Sequence, residues 1–373
     1  MIHERAKIAV TGANGFIGSN LVLRLIECGR EVTPITRETN LATAENAIAS
    51  AEIIIHLAGV NRPADDGEYC SNADQAAWLA DVVGRSDLTP LIIFSSSAKA
   101  VEESAYAKSK RAAEDTLLAL AATGKATVSI WRLPNVYGKW SRPDYNSVVA
   151  TFCRNVALGL PLRIDDPSAP LSLLYVDDLL DQWLGLIAAR PQDSGFAEPV
   201  GVDHTTVGEL AQLVREFGDG RSTHEVHEVG HGLKRRLFAS FMSAIPIDKA
   251  VYPLRPHIDS RGTFVEILKT NGCGQFSCFT AHPGMTRGGH YHHSKVEKFL
   301  VAHGTGRFRF RHVLGGDSFE VVADASQPTV VETPPGWAHD VMNIGEDELV
   351  VFSWASELFD PRRPDTHPMP LSQ

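Results

Sequence analysis

Three sets of residues in this 373-residue chain have types and spacings that can do chemistry. A glycine loop, Thr11-Gly12-Ala13-Asn14-Gly15-Phe16-Ile17-Gly18, stands near the start. A serine run, Ser95-Ser96-Ser97, is followed by Tyr106-Ala107-Lys108-Ser109-Lys110. A histidine-rich segment, Gly289-His290-Tyr291-His292-His293-Ser294-Lys295-Val296-Glu297, lies near the other end, with His339 beyond it. The first set suits a dinucleotide, the second suits proton donation to a carbonyl under reduction, and the third suits a metal or proton-transfer site. Together they suggest two successive steps on one substrate.

In the glycine loop, Gly12 permits a tight turn, Gly15 lets backbone approach a pyrophosphate, and Gly18 lets helix and strand pack closely. Phe16, Ile17 and Gly18 open a helix whose free N–H groups attract phosphate. NAD-binding versions end the second strand with an acid that holds the ribose hydroxyls, but this chain has Thr36-Arg37-Glu38 there. Arg37 suits the extra phosphate of NADP. The alternative is a solvated Arg37 with Glu38 on the ribose, and NADPH is the expected cofactor.

Tyr106 and Lys110 are four apart and share one face of a helix. An ammonium beside a phenol lowers its pKa from about 10 by favouring phenolate. Tyr106 can then protonate the alkoxide formed as hydride reaches a ketone, while a serine hydroxyl polarises the same oxygen.

Seven of the fifteen histidines (282, 290, 292, 293, 303, 312 and 339) fall between 282 and 339. His290 and His292, two apart, project from one face of a strand. Glu297 and His339 can complete a shell suited to zinc or another borderline divalent ion. A metal-free site working by proton transfer, or a purely structural cluster, are the alternatives. His227-Glu228-Val229-Gly230-His231 spells a zinc-protease motif, but that motif needs a helix. Gly230 and Gly232 argue for a polar loop instead.

Elements must hold these groups in place. Lys7–Thr11, Glu31–Thr36, Ile53–Leu57, Leu91–Ser95 and Thr127–Arg132 read as strands that are apolar almost throughout. Between them, Ile17–Cys28, Glu68–Gly84 and Ser104–Ala122 read as helices. That alternation predicts a doubly wound α/β fold around a parallel sheet. After Pro246, Pro253 and Pro256 the texture changes. Thr263–Leu268, Gln275–Ala281, Lys298–Val301, Gly306–Arg311 and Glu348–Trp354 read as short strands of an antiparallel barrel. The expected division is 1–245, a linker 246–256, and an all-β domain 257–373.

The length itself favours two domains. With 43% hydrophobic and 21% charged residues the chain reads as globular, and its net charge of -10 argues against nucleic-acid binding. No apolar run approaches the roughly 20 residues of a membrane span. The start has no hydrophobic targeting segment, and five scattered cysteines form no CxxC pair, so a cytoplasmic protein is expected.

The glycine loop, the serine strand end and Tyr106/Lys110 together resemble the extended short-chain dehydrogenase/reductases, a Rossmann-like family. His56-Leu57-Ala58-Gly59 matches the loop that such enzymes place beside the cofactor. Arg132-Leu133-Pro134-Asn135-Val136-Tyr137-Gly138 and Leu174-Tyr175-Val176-Asp177-Asp178-Leu179 resemble their nucleotide-sugar elements. The resemblance implies Ser97 as the catalytic serine, with Ser96 as the alternative. It implies cofactor contacts from Gly12, Gly15, Phe16, Ile17, Gly18, Arg37, Leu57, Ala58, Tyr106 and Lys110. It further implies substrate contacts from Asn61, Ser97, Asn135 and Arg142.

Gly284-x5-His290-x-His292-x4-Glu297-x6-Gly304 fits the first cupin motif. Pro334-x-Gly336-x2-His339-x3-Asn343 fits most of the second, although Pro328 stands where glycine is usual. Arg287-Gly288-Gly289-His290-Tyr291 is similar to a segment of deoxysugar-nucleotide 3,5-epimerases in which the histidine is the catalytic base. Reductase plus jelly-roll cupin resembles the bifunctional epimerase/reductases of bacterial capsule and O-antigen synthesis. The stretches carrying this match are 56–63, 132–153, 287–301 and 333–339. The resemblance implies that the cupin epimerises carbon 3 of a UDP-2-acetamido-2,6-dideoxy-4-hexulose. The reductase then uses NADPH on the 4-ketone, giving UDP-2-acetamido-2,6-dideoxy-L-talose, a precursor of UDP-N-acetyl-L-fucosamine. A homodimer and a bound zinc are implied too. If His290 binds metal it cannot also be the free base, which leaves Tyr291, His293, Glu266 and Lys269 as secondary candidates. The alternatives are a reductase whose cupin only dimerises or binds substrate, a rhamnose-series relative, and a non-catalytic sugar-nucleotide sensor.

Overall fold

The computed structural model describes residues 6–61, 65–254, 257–259, 262–264, 268–270, 274–357 and 362–371. The chain forms two compact units, Met1–Tyr137 with Leu171–His204, and Gly138–Pro170 with Thr205–Gln373.

In the first unit β1 (Ile8–Thr11), α1 (Phe16–Glu27), β2 (Val32–Ile35), α2 (Leu41–Ala49), β3 (Ile53–His56), α3 (Cys70–Arg85), β4 (Leu91–Ser97), α4 (Ala105–Ala122) and β5 (Thr127–Leu133) alternate. The sheet order is β2-β1-β3-β4-β5, closed by the strand Gly195–Ala197, with every pairing parallel. Both faces are covered, which explains the unbroken apolar runs. Val10, Ile55 and Ile93 meet Leu21, Leu25 and Trp183 on one side. Ala9, Ile54 and Ile92 meet Ile48, Leu79, Val83 and Leu117 on the other. The doubly wound fold is therefore as the sequence predicts. Helix α2 lies outside the helices expected from the sequence, although Asn40 caps it by accepting from Thr43 N at 2.9 Å. The order reverses between β1 and β3, so the crevice beyond their carboxyl ends is where such sheets bind ligands.

The second unit carries the helices Val148–Leu158, Val207–Thr223 and Gly232–Ser243, with Phe217 edge-on to Phe238. Ten of its strands form two five-stranded antiparallel sheets of jelly-roll type, while Glu225–Val226 pairs in parallel with Lys269–Thr270 and His257–Asp259 pairs with Gly262–Phe264. One runs Val251–Pro253, Thr329–Thr333, Glu297–His303, Leu349–Ala355, Gln275–Ala281. The other runs Ser318–Asp324, Thr305–His312, Trp337–Asn343, Thr286–Tyr291, His367–Pro368. Phe299, Val301, Phe308, Phe310, Val331 and Val341 fill the space between them.

The proline-rich stretch read as a linker, 246–256, is built into the fold in its described part. Ile247–Ala250 is a 3-10 turn and Val251–Pro253 pairs with Thr329–Val331 as an edge strand, a place where proline costs no ladder bond. Of the strand expected at Thr263–Leu268, Gly262–Phe264 is described as a strand, and 265–267 lie outside the described residues. No described helix is long and apolar enough to cross a membrane.

Candidate active sites

The glycine loop follows β1. Gly12 has φ +68°, and a Cβ there would stand 2.8 Å from Ala58 N. A Cβ on Gly18 would stand 2.3 Å from Gly12 O. Backbone therefore fills the space a side chain would take, and only glycine fits. Thr11 ties the two loops of the crevice together: its Oγ1 accepts from Leu57 N and Ala58 N at 3.2 Å and faces His56 Nδ1 at 2.8 Å. Helix α1 starts at Phe16 with no side chain capping it, which leaves the N–H groups of Phe16, Ile17 and Gly18 for a ligand. Arg37 is exposed in the turn after β2. This cradle fits a dinucleotide pyrophosphate.

At the end of β4 the serines part company. Ser96 is buried and donates to the buried carboxylate of Glu114. Glu114 also accepts from Arg132 at 3.0 and 2.6 Å. Ser97 is half-buried, and its Oγ accepts from Lys99 N at 3.2 Å, capping a short turn. Helix α4 begins at Ser104, which caps Ala107 N, and so places Tyr106 in its first turn. Tyr106 donates to Asn61 Oδ1 at 3.4 Å. Lys110, buried one turn on, donates to Ser95 O at 3.0 Å. Burial lowers the Lys110 ammonium to about 8, against the pull of Glu114.

Sequence reasoning missed Thr11, Glu114 and Asn72. Asn72 is buried, accepts from Val60 N at 2.8 Å and donates to Ser109 Oγ at 3.0 Å, which pins the loop carrying Asn61 to α4. Asn135 is exposed on the strand Asn135–Tyr137. Arg142 belongs to the second unit, where its guanidinium lies 5.4 Å over the Tyr145 ring.

In the second unit, the ligand atoms of His290, His292, Glu297 and His339 all lie within 4.8 Å of one another. Register brings them there. His290 pairs directly with His339 across antiparallel strands, after a shift at Gly288, whose φ is +99°. A Cβ on Gly288 would stand 2.9 Å from His339 O, so glycine permits the close pairing. Glu297 opens a strand of the facing sheet.

The hydrogen-bond pattern tests whether a cation fits. His292 Nδ1 faces the carbonyl of Asp365, and His339 Nδ1 faces that of Trp337 at 3.3 Å. A carbonyl only accepts, so each Nδ1 carries the proton. In neutral rings this leaves bare lone pairs on both Nε2 atoms, which meet Glu297 Oε2 at 3.1 and 3.2 Å. Electron-rich atoms hold such spacings only around a cation or extra protons. Burial lowers His290 to about 4 and also lowers His292, which opposes extra protons. A zinc bound at about 2.0 Å by each ligand separates tetrahedral neighbours by about 3.3 Å. The donor set fits a divalent ion.

Tyr291 and His293 turn the other way and pack against His367, the first ring tilted at 5.3 Å and the second edge-on at 4.6 Å. Glu266 and the side chain of Lys269 lie outside the described residues. His227 and His231 lie outside any helix, as the glycines suggested.

Comparison with known proteins agrees with both halves. Residues 8–194 match the NAD dependent epimerase/dehydratase family, and residues 257–367 match the polysaccharide biosynthesis C-terminal domain. A Pseudomonas aeruginosa protein, UDP-2-acetamido-2,6-beta-L-arabino-hexul-4-ose reductase, is 44% identical over 97% of this chain and 98% of its own. The capsular polysaccharide assembling protein CapF from Staphylococcus aureus is 34% identical, with a TM-score of 0.65 over 98% of this chain and 100% of that one. UDP-glucose 4-epimerase of Thermotoga maritima shares the fold of the first part, with a TM-score of 0.51 and 24% identity over 57% of this chain and 82% of its own. With a shared N-terminal family, a matching C-terminal domain and relatives aligned from end to end, the chain belongs to the NAD dependent epimerase/dehydratase family, among the two-part polysaccharide-synthesis enzymes of the CapF type.

Proposed function

We propose that the chain acts twice on a UDP-2-acetamido-2,6-dideoxy-4-hexulose. The cupin part inverts carbon 3, and the reductase part then reduces the 4-ketone to UDP-2-acetamido-2,6-dideoxy-L-talose. The observation that carries this is the presence of a complete donor quartet and an intact Tyr106/Lys110 pair on one chain aligned end to end with a named hexulose reductase. The order follows from chemistry: a carbon 3 proton is acidic only while carbon 4 is a ketone, so reduction comes second and fixes the new configuration. We assign 1–245 to the reductase and 257–373 to the epimerase, with 246–256 between them contributing the edge strand Val251–Pro253, and infer a homodimer.

In the reductase, bound NADPH supplies hydride to carbon 4. Arg37 is the candidate partner of its 2′-phosphate, and the Gly12–Gly18 cradle that of its pyrophosphate. Ser97 polarises the ketone oxygen, and Tyr106 gives that oxygen a proton as charge develops. Lys110, as ammonium, favours the phenolate that remains. Asn61, Asn135 and Arg142 are candidate contacts to the sugar nucleotide.

In the cupin, a zinc ion held by His290, His292, Glu297 and His339 would supply positive charge to the enolate oxygen. With His290 a ligand, the base is another group. A second reading, in which the cupin only dimerises the chain or binds substrate, is favoured by one fact: the aligned relative is named a reductase and nothing more.

Paired variants separate these readings. Tyr106→Phe is expected to stop NADPH oxidation and keep exchange at carbon 3. His339→Asn is expected to stop exchange and keep reduction of a substrate already inverted at carbon 3. If His339→Asn leaves the carbon 3 configuration of the product unchanged, the second reading stands.

A further inference from the structure

The C-terminal stretch has no part in the function so far, yet it is bound to the back of the donor quartet. His367–Pro368 adds as an antiparallel strand beside His290–Tyr291. Met369 N donates to Gly289 O at 2.8 Å, and Arg309 donates to Leu371 O at 3.3 Å. Asp365 makes several such bonds. Its Oδ1 accepts from His293 N at 2.8 Å, and its Oδ2 accepts from Ser294 N at 2.7 Å, Lys295 N at 2.8 Å and Ser294 Oγ at 3.0 Å. One half-buried carboxylate therefore gathers three successive backbone N–H groups of the turn between His292 and Glu297. The main-chain carbonyl of the same residue takes the Nδ1 proton of His292.

We propose that Asp365 is the positioning residue of the His290/His292/Glu297/His339 centre. Its carbonyl fixes the His292 ring with Nε2 bare and aimed at the centre. Its carboxylate fixes the turn that sets the separation of His292 from Glu297. Outer contacts of this kind orient ligating imidazoles, and their loss weakens metal binding on the order of 10- to 100-fold. The inference rests on the reading of the quartet as a metal centre, except for the tautomer of His292, which Asp365 sets with or without metal.

The test uses the full chain, stripped of metal, titrated with Co2+ and Zn2+, and compared with Asp365→Asn. NADPH binding serves as the measure that the chain is folded. The variant is expected to bind Co2+ at least 10-fold more weakly and to show an altered visible spectrum, which a residue that merely stabilises the fold does not produce. Equal affinity with an identical spectrum overturns the proposal. Should the variant fail to fold, or the wild type bind neither ion, nitrogen NMR of the metal-free wild type decides, with His292→Gln identifying the resonances. A proton on Nδ1 of His292 supports the positioning role, and a proton on Nε2 overturns it. Failure of the wild type to bind either ion counts against the metal reading alone, so the two failures are distinct.

Discussion

Ser96 and Glu114 are bonded to each other in the interior of the first unit, and that pairing separates two adjacent hydroxyls of the same strand. Ser96 shares the buried Glu114 carboxylate with the half-buried Arg132, while Ser97 stands at the rim, its Oγ accepting from Lys99 N and its O–H left to turn toward substrate.

Ser97→Ala is therefore expected to lower kcat/KM for ketone reduction by about 10²-fold or more, as for loss of a donor to a developing oxyanion, with no more loss of stability than the roughly 1 kcal/mol of a removed cap. Ser96→Ala is expected to lower stability by about 1–3 kcal/mol, because the buried Glu114 carboxylate is then short of one donor. Steady-state kinetics beside urea unfolding distinguishes them. The reverse pattern would move the catalytic role to Ser96.

Gly12→Ala places a methyl group against Ala58 N in a left-handed backbone region. Overpacking of this kind costs about 1–3 kcal/mol. If all of it falls on the binding-competent loop, NADPH affinity drops about 5- to 150-fold. Fluorescence titration of NADPH reads this directly, and unchanged affinity would place the cofactor elsewhere.

Lys110 loses its proton in the folded protein near pH 8, whereas the unfolded chain keeps it to about 10.4. Between those values the unfolded state binds more protons, so this group makes stability rise with pH over that window. The reaction has the opposite sign. It uses the ammonium, and reduction is expected to fall as pH climbs through about 8. Lys110→Arg, cationic at every working pH, is expected to move that limb upward in a kcat/KM profile.

Glu332 is fully buried between Arg221, its ion-pair partner, and Lys298 Nζ at 2.8 Å, with Tyr252 completing the Lys298 shell at 2.9 Å. Glu332→Gln removes the carboxylate that both side chains pair with and leaves Arg221 and the buried Lys298 facing each other without it. Breaking a buried pair in this way costs about 3–5 kcal/mol. Urea unfolding is expected to show that loss, with NADPH affinity unchanged.

Much of the fold and site is legible in the residues because the relevant signals are local. Parallel strands covered on both faces leave unbroken apolar runs, as in Ile53-Ile54-Ile55. Glycines that admit backbone leave fixed spacings, as at Gly12, Gly15 and Gly18. The quartet is readable because His290 and His292 stand two apart, although the strand itself ends at Tyr291 and His292 lies just beyond it. What stays hidden depends on contacts between distant segments. The pairing of Ser96 with Glu114 spans 18 residues and that of His293 with Asp365 spans 72, and no periodicity encodes either. Helix α2 escapes a sequence reading because its short alanine-rich run has a weak apolar stripe, with only Ala44 and Ile48 buried. Pro253 reads as a breaker, yet it closes an edge strand where its missing N–H is no loss.

The central claim is inversion before reduction, and deuterium tests it most directly. The purified chain is incubated in heavy water with a UDP-2-acetamido-2,6-dideoxy-4-hexulose, with and without NADPH, and the sugar is examined by NMR. Deuterium at carbon 3 without NADPH, and a reduced product inverted at that carbon when NADPH is present, is the predicted result. A reduced sugar that keeps its original carbon 3 configuration and its protium there contradicts the account.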